Sequence, residues 1–532
     1  MKVLGFGSLV GLACCLLPGS LSAQAEQPTV DVVGYQVRGN TLLGGAALDA
    51  VLLPLKGRRT LDELHRAAAA VQALYAQAGY GAVVAYVPPQ TPSDGVVTIS
   101  VVEGKLRAVT VKGAEQFPAA NIVASLPGLA GGATPRLRDI DAQLRIANEN
   151  PAKQVQVLLR PGRQTGDVEA ELAVTEQPLQ RWTVGLDNTG NARTGEFRVS
   201  LGWQHANLSG HDDVFNVQAQ TSPTEPDKVA VLSGGYRWPL YRRHMVLDAF
   251  AALSDVDGGS SQTLAGDLRF NGRGRIFGAR AAWYLPRWGD FDQRVAVGID
   301  RRDYLNRCEI EGLPVGACGP AGSSVSVTPV SLEYTVQSAG AMLIGAGASI
   351  HHNLRTGGSR SGAEAFEAVR TGATPGYTAV RFGAQVGMAV LDDWQLRGRL
   401  TGQLTGDALV SGEQFGLGGM SSIRGYDERE LVGDSGAALA IEVGTPALFG
   451  DRLGEGAALR LHTFADLGHA QNNRGAPCLE ARTHCTLASL GLGARFGRGP
   501  LQARLDLAYP LNDAARTRRG DARAHVAVQY GF

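Results

Sequence analysis

The stretch WQLRGRLTGQL, Trp394 to Leu404, decides the fold. Trp394, Leu396, Leu400 and Leu404 fall on one face of an extended chain, and Gln395, Arg397, Arg399, Thr401 and Gln403 fall on the other, because strand side chains alternate with period two. FRVSLGWQ repeats the pattern, with Phe197, Val199, Leu201 and Trp203 opposing Arg198, Ser200 and Gln204. So does the final AHVAVQYGF, which sets Val526, Val528, Tyr530 and Phe532 against His525 and Gln529. Apolar-out, polar-in strands with arginine inside are what a barrel in lipid around a wet lumen requires. A soluble sandwich would turn the same faces the other way, and local alternation alone does not separate the two.

Three features outside the strands separate them: an export signal, the terminal aromatic Phe532 and the strand count. The opening MKVLGFGSLVGLACCLLPGSLSAQAE reads as a signal peptide over residues 1–25, with Lys2 as charged start, Val3 to Leu17 as apolar run and Ala23-Gln24-Ala25 as cleavage site. No later run approaches the roughly 18 apolar residues of a spanning helix. About sixteen strands start between Trp182 and Arg523, an even number as single-chain bacterial barrels need. Counting back from Phe532 and forward from Trp182 puts the long connections on the outer side, including the Cys308/Cys318 and Cys478/Cys485 loops and SSIRGYDERE (Ser421 to Glu430).

The 532 residues carry 50 acidic and 50 basic side chains, so no cationic excess points to nucleic acid, and the 70 glycines show no G-X-Y period. Each of the two close cysteine pairs is expected to close one small loop as a disulfide in an oxidising compartment. Their spacing lacks the C-x₂-C form of zinc sites. His211-Asp212-Asp213 and His351-His352 read as turn or loop residues without a full ligand set. No G-x-S-x-G, H-E-x-x-H or phosphate-binding loop occurs. The chain is therefore not expected to be an enzyme or to hold a cofactor or metal.

Two β-α-α-β-β modules precede the barrel, residues 26–105 and 106–178. In the first, TLDELHRAAAAVQALYAQAGY is a helix opened by a Thr60/Glu63 capping box and stopped by Gly79, with Leu64, Ala68, Val71 and Tyr75 on one face. In the second, LRAVTVKGA leads to helices near Asn121 to Leu126 and Arg136 to Asn148, then the strands QVQVLLRPG and DVEAELAVTEQ.

Two such modules before a barrel spanning 179–532 resemble the transporters of two-partner secretion, the FhaC/ShlB/HecB hemolysin secretion and activation family of the BamA-type superfamily, whose modules are POTRA domains. NENPAKQVQVLLRPGRQTGDVEAELAV is similar to the family's N-x-N-P…L-x-P-G…G stretch, carried by Asn148, Asn150, Pro151, Pro161, Gly162 and Gly166. QFGLGGMSSIRGYDERE is similar to its F-x-L-G-G-x-x-S-V-R-G-Y segment, with Ile423 for the common valine, and HTFADLG to its F-x-D-x-G strand.

The resemblance implies an outer-membrane pore that captures an unfolded exoprotein (a TpsA-type adhesin, hemolysin or toxin) through periplasmic POTRA domains and exports it. It implies that the sixth outer loop, about 405–436, folds into the lumen, where Arg424 pairs with Asp466. Gly425, Tyr426, Phe464 and Gly468 complete that lock, and Phe415, Gly418, Gly419 and Ser422 support the loop. Val528, Tyr530 and Phe532 are implied as a C-terminal signal for the barrel assembly machinery, with outer-membrane lipid and lipopolysaccharide around the barrel. Family members often carry an N-terminal plug helix, but only Glu26 to Thr29 precedes the first module, so none is expected here. A passive porin would lack the modules, and an assembly factor usually carries more of them.

Overall fold

A computed structural model describes residues 28–256, 260–263, 266–269, 272–306, 323–338, 340, 342–454 and 456–532. The signal-peptide residues, Cys308 and Cys318 lie outside the described residues.

The first module has its own core. A parallel pair, Gly34–Arg38 with Val96–Glu103, is extended antiparallel by Val83–Tyr86. The helices Gly45–Leu52 and Leu61–Gln77 cover one face. Thr60 and Glu63 form the reciprocal cap at the start of the second helix. Leu64, Ala67, Ala68, Val71 and Tyr75 are its buried side, four of them at the i, i+3, i+4, i+7 spacing that sets an apolar stripe against a sheet. A feature outside the expected order is a small ladder between Thr29–Val32 and Gly57–Thr60. The latter strand runs directly into the helix cap.

The second module repeats the plan, with Lys105–Lys112 parallel to Asp167–Glu176 and Lys153–Pro161 antiparallel to it. Its helices are Ala119–Ala124 and Leu137–Asn148. Asn148 joins helix to strand, donating to the Val155 carbonyl (3.0 Å) and accepting from the Val155 amide (2.7 Å). Asn150 reaches the barrel, donating to the Ala206 carbonyl at 2.6 Å. Gly166 turns with φ 87° between the last two strands, and Gly162 closes that turn by donating to the Asp167 carbonyl.

From Gln180 the chain is a closed antiparallel barrel of sixteen strands. The first half is Gln180–Asp187, Arg198–His205, Val214–Thr221, Val229–Leu240, Met245–Val256, Gly272–Trp288, Phe291–Leu305 and a strand split into Val325–Val327 and Pro329–Ser338. The split falls where Pro329 has no N–H to give, and the Asn353 side chain accepts from the Thr328 amide there. The second half is Leu343–Asn353, Thr378–Val390, Trp394–Leu404, Ser435–Gly444, Ala457–Gln471, His484–Arg498, Leu501–Pro510 and Arg523–Gly531. The last strand pairs with the first from Ala527↔Asp187 to Gly531↔Thr183. Trp182 and Phe532 then exchange backbone hydrogen bonds of 2.7 and 2.9 Å.

The outer wall settles the lipid question. Leu201, Leu232, Phe277, Leu332, Ile350 and Leu492 point outward and are half exposed. An apolar belt of this extent on a closed barrel fits hydrocarbon rather than water. Among the described residues no helix is long and apolar enough to cross a membrane, and the strands supply the crossing.

Candidate functional site in the barrel lumen

The loop between Trp394–Leu404 and Ser435–Gly444 turns inward instead of outward. Phe415–Leu417 and Leu431–Gly433 pair as a short hairpin, and the segment between them forms the tip. Leu417, Ile423, Tyr426 and Leu431 pack as an apolar cluster on Ala438, Ala470, Cys485 and Leu487 of the wall, with Phe415 against its edge. Burying this cluster fixes the tip before any charge is considered.

Arg424 is 2 % exposed. Its Nε and Nη2 donate to the two carboxylate oxygens of Asp466, each at 2.7 Å, and its backbone amide donates to Oδ2 at 3.1 Å. Nη1 reaches Glu442 at 2.6 Å and Asp506 at 3.5 Å. The guanidinium lies 3.4 Å from the centroid of the Phe464 ring, so a cation–π face completes its coordination. Each extra carboxylate has a second cation: Arg495 is 2.6 Å from Glu442, and Arg504 is 2.5 Å from Asp506. Three guanidiniums therefore meet three carboxylates in a desolvated site. That balance is what makes such burial tolerable.

The neighbouring motif residues hold this geometry. Gly425 has φ 92° and donates its amide to Nε2 of His525 at 2.9 Å. Tyr426 is fully buried; its hydroxyl donates to the Ala488 carbonyl (2.9 Å) and accepts from the Asn512 amide (3.1 Å). A Cβ at Gly468 would come within 2.7 Å of Leu417 and 2.9 Å of Ile423, so the wall is bare there because the tip leans on it. Gly418 and Gly419 face the Asp427 carbonyl and the Glu428 carboxylate across the tip. Ser422 donates its amide to the Gly419 carbonyl at 3.2 Å.

Further anchors were not among the motif residues. Glu413, 1 % exposed, accepts from Arg302 (2.9 Å), Arg381 (3.0 Å) and the Tyr304 hydroxyl (2.6 Å). Asp434 receives Nη2 of Arg370 at 2.7 Å. Glu430 accepts from the Thr517 hydroxyl at 2.6 Å and Asp427 from Arg516 at 2.5 Å, both in the last outer loop. Above the tip, Leu409 and Val410 of the inward loop join Phe366, Tyr377, Val231 and Ile276 in an apolar cluster. The signal that could have found Glu413 is a lone acid between GLV and QFGL in a loop otherwise short of charge.

The other predicted residues fall as follows. Cys478 and Cys485 form a disulfide in the seventh outer loop. Val528, Tyr530 and Phe532 lie on the closing strand and its end, with Tyr530 and Phe532 exposed on the outer wall. Among the described residues no group of His, Cys, Asp or Glu is arranged to hold a metal ion. The histidine pair requires a correction: His351 and His352 lie on the strand Leu343–Asn353, not in a turn. Alternation sends His351 inward to Ser349 (2.9 Å), whereas His352 meets Thr378 across the sheet (2.9 Å).

Asp212 of the other run sits in the first periplasmic turn and joins the second module to the barrel. Lys153 Nζ lies 2.6 Å from its carboxylate and the Tyr241 hydroxyl donates to it at 2.7 Å. Burial pulls the Lys153 ammonium below its usual pKa, and Asp212 opposes that pull. Arg237 to Glu149 (2.6 Å) and Arg145 to the Leu285 carbonyl (2.9 Å) extend the same interface.

With a locked inward loop, a closed barrel and two modules in view, comparison with known proteins is decisive. The family model for haemolysin secretion/activation protein ShlB/FhaC/HecB matches residues 168–496, and that for the ShlB-type POTRA domain matches 30–104. The chain belongs to the ShlB/FhaC/HecB family. It is 26 % identical over 518 residues to outer membrane transporter CdiB of Escherichia coli O6:K15:H31 (strain 536 / UPEC), covering 92 % of this chain and 81 % of that one. To hemolysin transporter protein ShlB of Serratia marcescens it is 23 % identical over 435 residues, covering 79 % and 72 %. The solved structure of CdiB from Escherichia coli superposes with a TM-score of 0.79 at 21 % identity, over 97 % of this chain and 92 % of that one. Membership makes this barrel an outer-membrane secretion pore of the two-partner type with POTRA modules on its periplasmic side.

Proposed function

We propose that the loop 405–434 is the gate of this pore, held in the lumen by Arg424 and Asp466 and displaced when an unfolded exoprotein passes. The observation that carries the reading is the tip geometry: one buried guanidinium satisfied by three wall carboxylates and an aromatic face. Phe415, Gly418, Gly419, Ser422, Gly425, Tyr426, Phe464 and Gly468 serve as its frame. The cargo, of TpsA type, is first captured in the periplasm by strand addition. Each module offers free sheet edges for this: Gly34–Arg38 and Val83–Tyr86 in the first, Lys105–Lys112 and Lys153–Pro161 in the second.

The same reading takes residues 1–25 as signal peptide, 26–105 and 106–178 as POTRA domains and 179–532 as the barrel, with no enzymatic activity. Val528, Tyr530 and Phe532 present the closing strand to the barrel assembly machinery, and lipid and lipopolysaccharide surround the apolar belt.

The test is export of the cognate secreted protein by Arg424→Ala. Removing one partner of a buried pair leaves the other stranded at about 3–5 kcal/mol, so the barrel should still assemble, read by its heat-modifiable migration, while export falls. Undiminished export by this variant overturns the proposal.

A further inference from the structure

Beneath the loop tip the lumen opens into a cavity of about 980 Å³. Its walls carry Arg181, Arg397, Arg460, Arg495, Arg498 and Arg504, against Asp187 as the one lining carboxylate. The side of the barrel follows from the chain path: the last strand of the second module, Asp167–Glu176, runs almost directly into Gln180. Arg181 therefore marks the periplasmic end, as do Arg498 at the end of its strand and Arg460 near the start of its own. A second cavity of about 640 Å³ shares Arg397, Arg495 and Arg504 and reaches up to Ser421 and Arg424.

The arginines are not all spent on structure. Arg495 and Arg504 serve Glu442 and Asp506 in the lock. Arg397 donates to the Gln395 side chain (2.8 Å) and Arg460 to the Thr445 carbonyl (3.2 Å). Among the described residues, Arg181, Arg397, Arg460 and Arg498 make no ion pair. A concave, one-signed wall inside a low-dielectric shell concentrates its field in the cavity. Guanidiniums present planar, paired donors suited to carboxylates, and they do not lose their charge.

We propose that this vestibule is a landing site for acidic stretches of the translocating polypeptide, recognised through their carboxylates. The inference rests on the reading that a polypeptide passes through this lumen, and it adds a preference the gate does not supply: segments rich in Asp and Glu are drawn in from the periplasmic side.

The experiment uses the purified full chain in detergent with a fluorescein-labelled oligo-glutamate and, in parallel, an oligo-lysine, binding being read by anisotropy. Oligo-glutamate should bind, and more weakly as salt rises; oligo-lysine should not. The triple variant R397Q/R460Q/R498Q should bind oligo-glutamate about tenfold less tightly, the loss of three modest ion pairs. R397K/R460K/R498K keeps the charge and should retain most of the binding, which separates the electrostatics from damage to the fold. Equal binding of both peptides, or unchanged binding by the glutamine variant, overturns the proposal. The measurement needs no export, so its failure leaves the gate standing, whereas full export by Arg424→Ala would remove the gate and leave the vestibule intact.

Discussion

Lys153 and Asp212 form an ion pair of 2.6 Å whose side chains are 0 % and 1 % exposed, across the junction of the second module and the barrel. The pair has further partners: the Phe117 ring lies 4.9 Å from Nζ and the Tyr241 hydroxyl binds the carboxylate. A buried pair of this kind is worth little against an apolar replacement, but breaking it on one side is severe. Asp212→Ala should therefore cost about 3–5 kcal/mol at this junction and loosen the module. Hydrogen exchange over Lys153–Pro161 should rise in the single variant and return towards wild type in Lys153→Met/Asp212→Leu. Equal exchange in all three would remove the pair from any positioning role.

Glu413 provides the second test of the inward loop. Glu413→Gln removes the charge that Arg302 and Arg381 share, although Asp300 still holds Arg302 at 2.6 Å. The stranded charge of Arg381 should weaken loop seating by about 3 kcal/mol. A cysteine placed at Ser421 should then react faster with a maleimide added outside than it does in the otherwise wild-type chain. Unchanged labelling would mean that the Arg424 end alone holds the loop.

Steric contact gives a third, independent handle. Gly468→Val places methyl groups where Leu417 and Ile423 already sit, an overpacking of about 1–3 kcal/mol. Export should fall towards the level of Arg424→Ala, with the charges untouched. Gly444→Ala serves as control, because its Cβ would meet nothing nearer than 3.6 Å.

The fold was legible because strand alternation is local: each barrel strand declares its inner face without reference to its neighbours. Parity also placed Asp466 on the inner wall, where the structure sets it beside Arg424. Glu413 was illegible because Arg302, 111 residues away, and Arg381, 32 away, meet it only once the barrel has closed. Lys153 and Asp212, 59 residues apart, were hidden in the same way. The strand from Gly57 and the histidine pair were misread for another reason. GRRT and IHHN carry too little apolar contrast for period two to show.

Acid should act on the first module through Glu103. Burial alone would raise its carboxyl, but hydrogen bonds from Thr41, from Tyr75 (2.9 Å) and from the Leu42 amide (3.0 Å) hold it below the ordinary value of 4.5. A depressed folded value means stability that is present above pH 4.5 and lost as pH falls through the folded value. Residues 28–104 carry their own core, so their urea unfolding can be followed by circular dichroism. Glu103→Gln should cost about 1 kcal/mol at neutral pH, and its deficit should shrink below pH 4.5. A deficit independent of pH would assign the loss to packing.

The balance of three guanidiniums and three carboxylates at the lock has a consequence for the open pore. Withdrawing the loop takes one cation with it and leaves Asp466, Glu442 and Asp506 facing only Arg495 and Arg504. The passage then acquires an anionic collar above its arginine-lined floor, two zones of opposite sign in series. A moving chain would release its acidic stretches from the floor as they met the collar, while its basic stretches gained a foothold there. Opening this gate thus changes the polarity of the path as well as its width.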